Sequence, residues 1–134
     1  MSNDKFRILI VDDNGPFREL LKGKLQSFSP AIAIDVAANG DEALRKVDVF
    51  LPNLIFMDIR LPGENGLDLT KKIRATRQNV IVFIITFYDT PEYRNRAFQC
   101  GAQRFIAKTS WDWIGLKELV KRYLQVETGK RLTG

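Results

Sequence analysis

Four short apolar runs in this 134-residue chain each stop at a residue able to do chemistry, and that repetition constrains the fold more than any other feature. Ile8-Leu9-Ile10-Val11 leads into Asp12 and Asp13, and Leu54-Ile55-Phe56-Met57 leads into Asp58. Val80 to Ile85 is followed by Thr86, and Phe105-Ile106-Ala107 by Lys108. Short apolar runs bounded by turn residues read as buried strands. In a parallel sheet their polar followers collect beyond the carboxyl ends of the strands, where open α/β sheets build their sites.

The segments between the runs carry helical signals. Asn14-Gly15-Pro16 turns the chain into a helix whose apolar stripe is Phe17, Leu20, Leu21, Leu25 and Phe28, ended by Ser29-Pro30. Ile32, Ile34 and Val36 alternate with smaller or polar residues, which predicts a half-exposed edge strand. Asp41 to Val49 forms the second helix, with Ala43, Leu44 and Val47 inward, and the third begins near Leu67. Thr90-Pro91 caps and opens the fourth, Gly101 ends it, and Ser110 is the expected cap of the fifth. Five such units predict an α/β doubly wound parallel sheet with five helices, and a half-exposed second strand fits one edge of the flavodoxin-like order 2-1-3-4-5. Right-handed crossovers put the first and fifth helices on one face and the other three opposite. Residues 5–126 form the domain; 127–134, with two glycines and mixed charge, read as a tail or the start of a linker.

Composition removes several function classes. No histidine is present, so histidine catalysis and histidine metal ligands are excluded. The single cysteine, Cys100, has no disulfide partner and fits a reducing, cytoplasmic compartment, with core packing its expected role. Val80 to Ile85 is far too short to cross a bilayer, and Met-Ser-Asn-Asp-Lys lacks the apolar core of a signal peptide. The net charge of +5 comes from scattered basic residues rather than a run, which predicts a solvated surface and only weak, salt-sensitive nucleic-acid binding.

Asp12, Asp13 and Asp58 are the candidate metal and phosphoryl site. Clustered carboxylates raise one another's proton affinity unless a cation offsets them. Mg²⁺ suits such a set, because it takes oxygen ligands and shares them with phosphate. A carboxylate can attack phosphorus to give an acyl phosphate, while a lysine adds positive charge and a threonine a hydroxyl donor. Each residue also has a bland alternative. Asp13 alone suits a helix cap, Asp58 a turn cap, Thr86 a strand end, Lys108 a solvated surface and Phe105 plain core.

Taken together and in order, these fragments resemble the receiver domain of two-component response regulators. The matching segments are Ile10-Val11-Asp12-Asp13, Met57-Asp58-Ile59-Arg60-Leu61-Pro62-Gly63, Asn65-Gly66-Leu67, Ile84-Ile85-Thr86 and Gly101-Ala102 through Lys108. The resemblance implies that Asp58 is the phosphoacceptor. It further implies that Asp12, Asp13, Asp58 and the Arg60 backbone carbonyl hold Mg²⁺. By the same resemblance Thr86 and Lys108 contact the phosphoryl group, and Thr86 and Phe105 act as the switch. The implied role is a phosphorelay signalling domain rather than an enzyme proper. Its implied phosphodonor is a sensor histidine kinase or phosphotransferase, and its output surface is the fourth helix, fifth strand and fifth helix. That surface would serve an effector domain or a homodimer, with nucleic acid reached only through an effector and no membrane partner. The alternative is a pseudo-receiver, a scaffold independent of phosphorylation; an autonomous acyl-phosphate hydrolase ranks last, for want of room for a capping domain.

Three places depart from the family pattern. Thr109 stands where the family has proline; a cis bond before a non-proline residue costs roughly 2.5–4 kcal/mol, so Lys108-Thr109 is expected to be trans. Phe87 and Tyr88 follow Thr86, where the family most often has a small residue; the Phe87 ring is expected to lean over Asp58, the alternative being the groove beside the fourth helix. Trp111 and Trp113 read as packing at the start of the last helix, or else as an exposed anchor for a partner.

Overall fold

The computed structural model describes residues 5–133, with side chains through residue 125. The expectations drawn on Met1 to Asp4 and on Gly134 therefore lie outside the described residues. In order, the elements are β1 (Phe6–Val11), α1 (Gly15–Phe28), β2 (Ile32–Ala37), α2 (Gly40–Phe50) and β3 (Leu54–Met57). There follow β4 (Arg60–Leu61), β5 (Glu64–Asn65), α3 (Gly66–Thr76), β6 (Ile81–Thr86), α4 (Pro91–Gln99), β7 (Arg104–Ala107) and α5 (Trp113–Thr133). The main sheet is wholly parallel in the order β2-β1-β3-β6-β7. With the two-residue strands β4 and β5 set aside, that is the expected 2-1-3-4-5. The segment between β3 and α3, expected to be a loop, holds the small antiparallel pair β4–β5.

Two apolar layers sandwich the sheet. Leu9, Val11, Ile55, Met57, Val82 and Ile84 point to α2, α3 and α4, while Ile8, Ile10, Leu54, Phe56, Phe83 and Ile85 point to α1 and α5. Alternate residues of one strand thus feed opposite layers, the period of two that a pleated strand imposes. β2 is half-buried along its middle, as its alternating pattern predicts.

Helix starts follow local chemistry. Asn14, Asn39, Asn65 and Thr90 each accept a backbone N–H of the following helix through the side chain. At the start of α5 the expectation needs correcting. The cap is Asp112, whose carboxylate accepts Gly115 N–H at 2.7 Å, whereas the Ser110 N–H turns back onto the Ala107 carbonyl. An aspartate one residue before the helix outcompetes a serine held in the preceding turn. Gly101 ends α4 at φ +104°, a conformation that favours glycine. Cys100 is half-buried at that same helix end, packed against the core. The backbone of α5 runs on past Val126 to Thr133. Among the described residues every peptide bond is trans, Lys108-Thr109 included. No helix among them is long and apolar enough to cross a membrane.

Candidate functional site

The parallel register sets the geometry of the carboxyl edge. Val11 pairs with Met57, and Met57 with Ile84, so β1 and β3 end together while β6 runs two residues further, to Thr86. Asp12, Asp13 and Asp58 consequently offer carboxylate oxygens all within 4.8 Å of one another. Asp12 and Asp58 are buried and Asp13 is exposed, so the cluster has a dry floor and a wet rim.

Around Asp58 the donors are specific. Its Oδ1 accepts the Thr86 hydroxyl at 2.6 Å and the Ile59 N–H at 2.7 Å. Its Oδ2 faces the Lys108 ammonium at 3.1 Å, and the same ammonium donates to Asp12 Oδ2 at 2.7 Å. Asp12 Oδ1 accepts the Asn14 N–H. Burial pushes the Asp12 carboxyl above its ordinary value; the hydrogen bonds from Lys108 and Asn14 oppose that shift, and the charge of Asp58 adds to it. Three carboxylates meet one paired ammonium here, an excess of negative charge in a partly dry site. Hard oxygen donors, close spacing and an open side at Asp13 suit a hydrated Mg²⁺.

The bland alternatives can now be weighed against positions. Asn14, not Asp13, caps α1. Lys108 is 8% exposed and so is no solvated surface lysine, and Thr86 is fully buried with its hydroxyl on Asp58. Phe105 lies half-buried in β7 under the Arg94 guanidinium, 4.8 Å from its ring centroid. Arg94 in turn pairs with Asp89 at 2.6 Å, which holds the Asp89 carboxyl below its usual range. Arg60 opens β4 on the exposed rim, its guanidinium 4.3 Å over the Tyr88 ring. Trp111 and Trp113 pack edge-on against Phe17 and Phe28, which favours the packing reading over the exposed anchor.

Two contributors were not singled out in the sequence. Arg18 of α1 donates to the Asp12 carbonyl at 2.7 Å and so steadies the β1 end. Nothing local marks it, because the contact exists only once α1 folds back. Gly66 is needed for closeness: a Cβ there would lie 1.9 Å from the Asp58 carbonyl oxygen, and its N–H bonds Ile59 O at 2.7 Å. Its signal was the Asn65-Gly66 pair at the head of α3.

A doubly wound sheet with an acidic cluster, a hydroxyl and a lysine at its carboxyl edge defines a class of α/β domain with an acidic site at the strand ends. Comparison with known proteins narrows it: residues 8–122 match the model of the response regulator receiver domain, and the chain belongs to that family. Sporulation initiation phosphotransferase F of Bacillus subtilis is 32% identical, over 96% of this chain and 99% of its own length. A protein-glutamate methylesterase/protein-glutamine glutaminase of Alkalilimnicola ehrlichii is 35% identical over 90% of this chain but only 31% of its own. Response regulator GacA of Pseudomonas viridiflava is 28% identical over 93% of this chain and 56% of its own, so the chain spans a third to little over half of several relatives. Among solved structures, a CheY-like receiver domain protein of Methanospirillum hungatei superposes with a TM-score of 0.84 at 28% identity, covering 94% of this chain and 98% of that one.

Proposed function

We propose that this domain accepts a phosphoryl group on Asp58, in a Mg²⁺-dependent reaction, from a histidine kinase or phosphotransferase partner, and switches a partner or output surface in response. The observation that carries the reading is Asp58 itself, a buried carboxylate held by Thr86 and Lys108 within reach of Asp12 and Asp13. Asp12, Asp13, Asp58 and the Arg60 carbonyl would hold Mg²⁺, which supplies charge neutralisation on the incoming phosphoryl group. Lys108 and Thr86 place a charge and a donor where phosphoryl oxygens would sit. Because Thr86 already bonds Asp58, a new group on Asp58 must displace or recruit that hydroxyl. Such a move is the input to a switch that reaches Phe105, paired with Ile84 across β6 and β7. The setting is cytoplasmic, and any effector domain or homodimer would be served through α4, β7 and α5.

Acetyl phosphate with Mg²⁺ should add one phosphoryl group per chain by intact mass, and Asp58→Asn should abolish it. An unlabelled parent protein would leave the phosphorylation-independent scaffold as the better reading. Stoichiometric labelling of the variant at another residue would overturn the assignment of Asp58.

A further inference from the structure

Lys108 keeps more aromatic company than an acidic cluster requires. Its ammonium, hydrogen-bonded to Asp12 and Asp58, lies 4.2 Å from the Phe17 ring centroid and 5.2 Å from that of Phe87. The rings come from separate elements, Phe17 from α1 and Phe87 from the segment after β6. Phe17 is braced edge-on by Trp111 at 5.9 Å. Phe87 is 58% exposed, so burial of apolar surface does not account for its place. What it gains there is the lysine.

We propose that Phe17 and Phe87 clamp the Lys108 ammonium and thereby set the lifetime of the phosphoryl group on Asp58; the inference rests on the phosphoacceptor reading above. An ammonium has three N–H donors. Two are taken by the carboxylates, and the negative faces of the rings attract the remaining charge. In the forward step a carboxylate oxygen of Asp58 bonds to the phosphorus of acetyl phosphate. The bond from phosphorus to acetate breaks, and its electron pair leaves with acetate. In the reverse loss, a water oxygen bonds to phosphorus, the Asp58 oxygen–phosphorus bond breaks with its electron pair returning to the carboxylate, and the water proton passes to solvent. Rings that hold the ammonium against the phosphoryl oxygens slow that attack. Both rings are positioning residues, since they act through Lys108.

The test is the rate of phosphoryl loss after acetyl phosphate is removed, followed by intact mass in excess Mg²⁺. Phe87→Leu, at the exposed ring, should accelerate loss about two- to fivefold, the worth of one exposed cation–π contact, and Phe17→Leu by at least as much. Replacing Phe87 with mono-, di- and trifluorinated phenylalanine keeps its size while draining the ring face, and loss should quicken in step with fluorination. A merely space-filling ring would give a flat series. Calorimetric Mg²⁺ binding at the parent's level would show that the variants are folded. If the parent labels on Asp58 and the fluorinated series is flat, the clamp fails and the phosphoacceptor reading stands. If the parent never labels, both fall.

Discussion

The two ends of the sheet use their polar side chains in opposite ways. At the amino end they complete the backbone ladder. Asn53 Oδ1 accepts Arg7 N–H while the Arg7 carbonyl accepts Asn53 N–H, both at 2.8 Å, which ties β3 to β1. Gln103 does the same for β6 and β7, exchanging two bonds of 2.8 Å with Val82. At the carboxyl end Asp12, Asp58, Thr86 and Lys108 turn mainly to one another, and like charges stand together. One end is built for register, the other holds charge ready for a ligand. Stability is thus gained at one edge and surrendered at the other, and substitutions at the two ends should differ in sign.

The largest effect should come from Gly66→Ala, where the comparison is weakest, because Gly66 serves the carboxyl end by structure rather than by charge. A Cβ 1.9 Å from the Asp58 carbonyl forces the backbone apart. Chemical denaturation should show a loss of about 3 kcal/mol or more, beyond ordinary overpacking, together with weakened labelling of Asp58. A stability close to that of the parent would mean that the β4–β5 segment yields freely, and that the site is less rigidly held than its contacts imply.

What was legible in the sequence divides along the same line. Strand identities followed from Ile8–Val11, Leu54–Met57 and Val80–Ile85, because full burial demands continuous apolar runs, while the strand order leaned on the family resemblance beyond the edge position of β2. The cluster of Asp12, Asp13, Asp58, Thr86 and Lys108 followed from their shared position past those runs, and the structure brings all five together. Helix caps were readable where one residue dominated, as at Thr90, and misread at Ser110, where Asp112 competes two residues on. Long-range partners left no local trace. The Asn53 and Gln103 bonds, Arg18 on the Asp12 carbonyl and the Phe17 ring on Lys108 join residues that only the fold makes neighbours.

Asn53→Ala tests the amino end. The variant leaves the part-buried Arg7 N–H without its acceptor, which should destabilise the domain by about 1–2 kcal/mol. Phosphoryl labelling should stay at the parent's level, since Asn53 lies at the far end of β3 from Asp58. Equal damage to labelling would erase the separation between the two edges and make register itself a determinant of the site.

The smallest effect, and the one of opposite sign, belongs to Asp12→Asn without Mg²⁺. Burial raises the Asp12 carboxyl above its ordinary 3.8, so the folded protein holds that proton more tightly than the unfolded chain does. Its contribution to stability is full below the unfolded value and is lost as pH rises through the folded one. At neutral pH the charged Asp12 is therefore a burden on the metal-free fold, only partly relieved by Lys108 and Asn14. Asp12→Asn removes that burden, and denaturation midpoints in chelator should show the variant gaining on the parent as pH rises from 4 to 7. With Mg²⁺ present the order should shift back, because the parent gains binding free energy on folding while the variant has lost a carboxylate. A variant less stable than the parent at pH 7 in chelator would show that the Lys108 pair outweighs the burial of Asp12. The carboxyl edge would then be a stabilising element like the amino one, and the contrast between them would be one of chemistry alone.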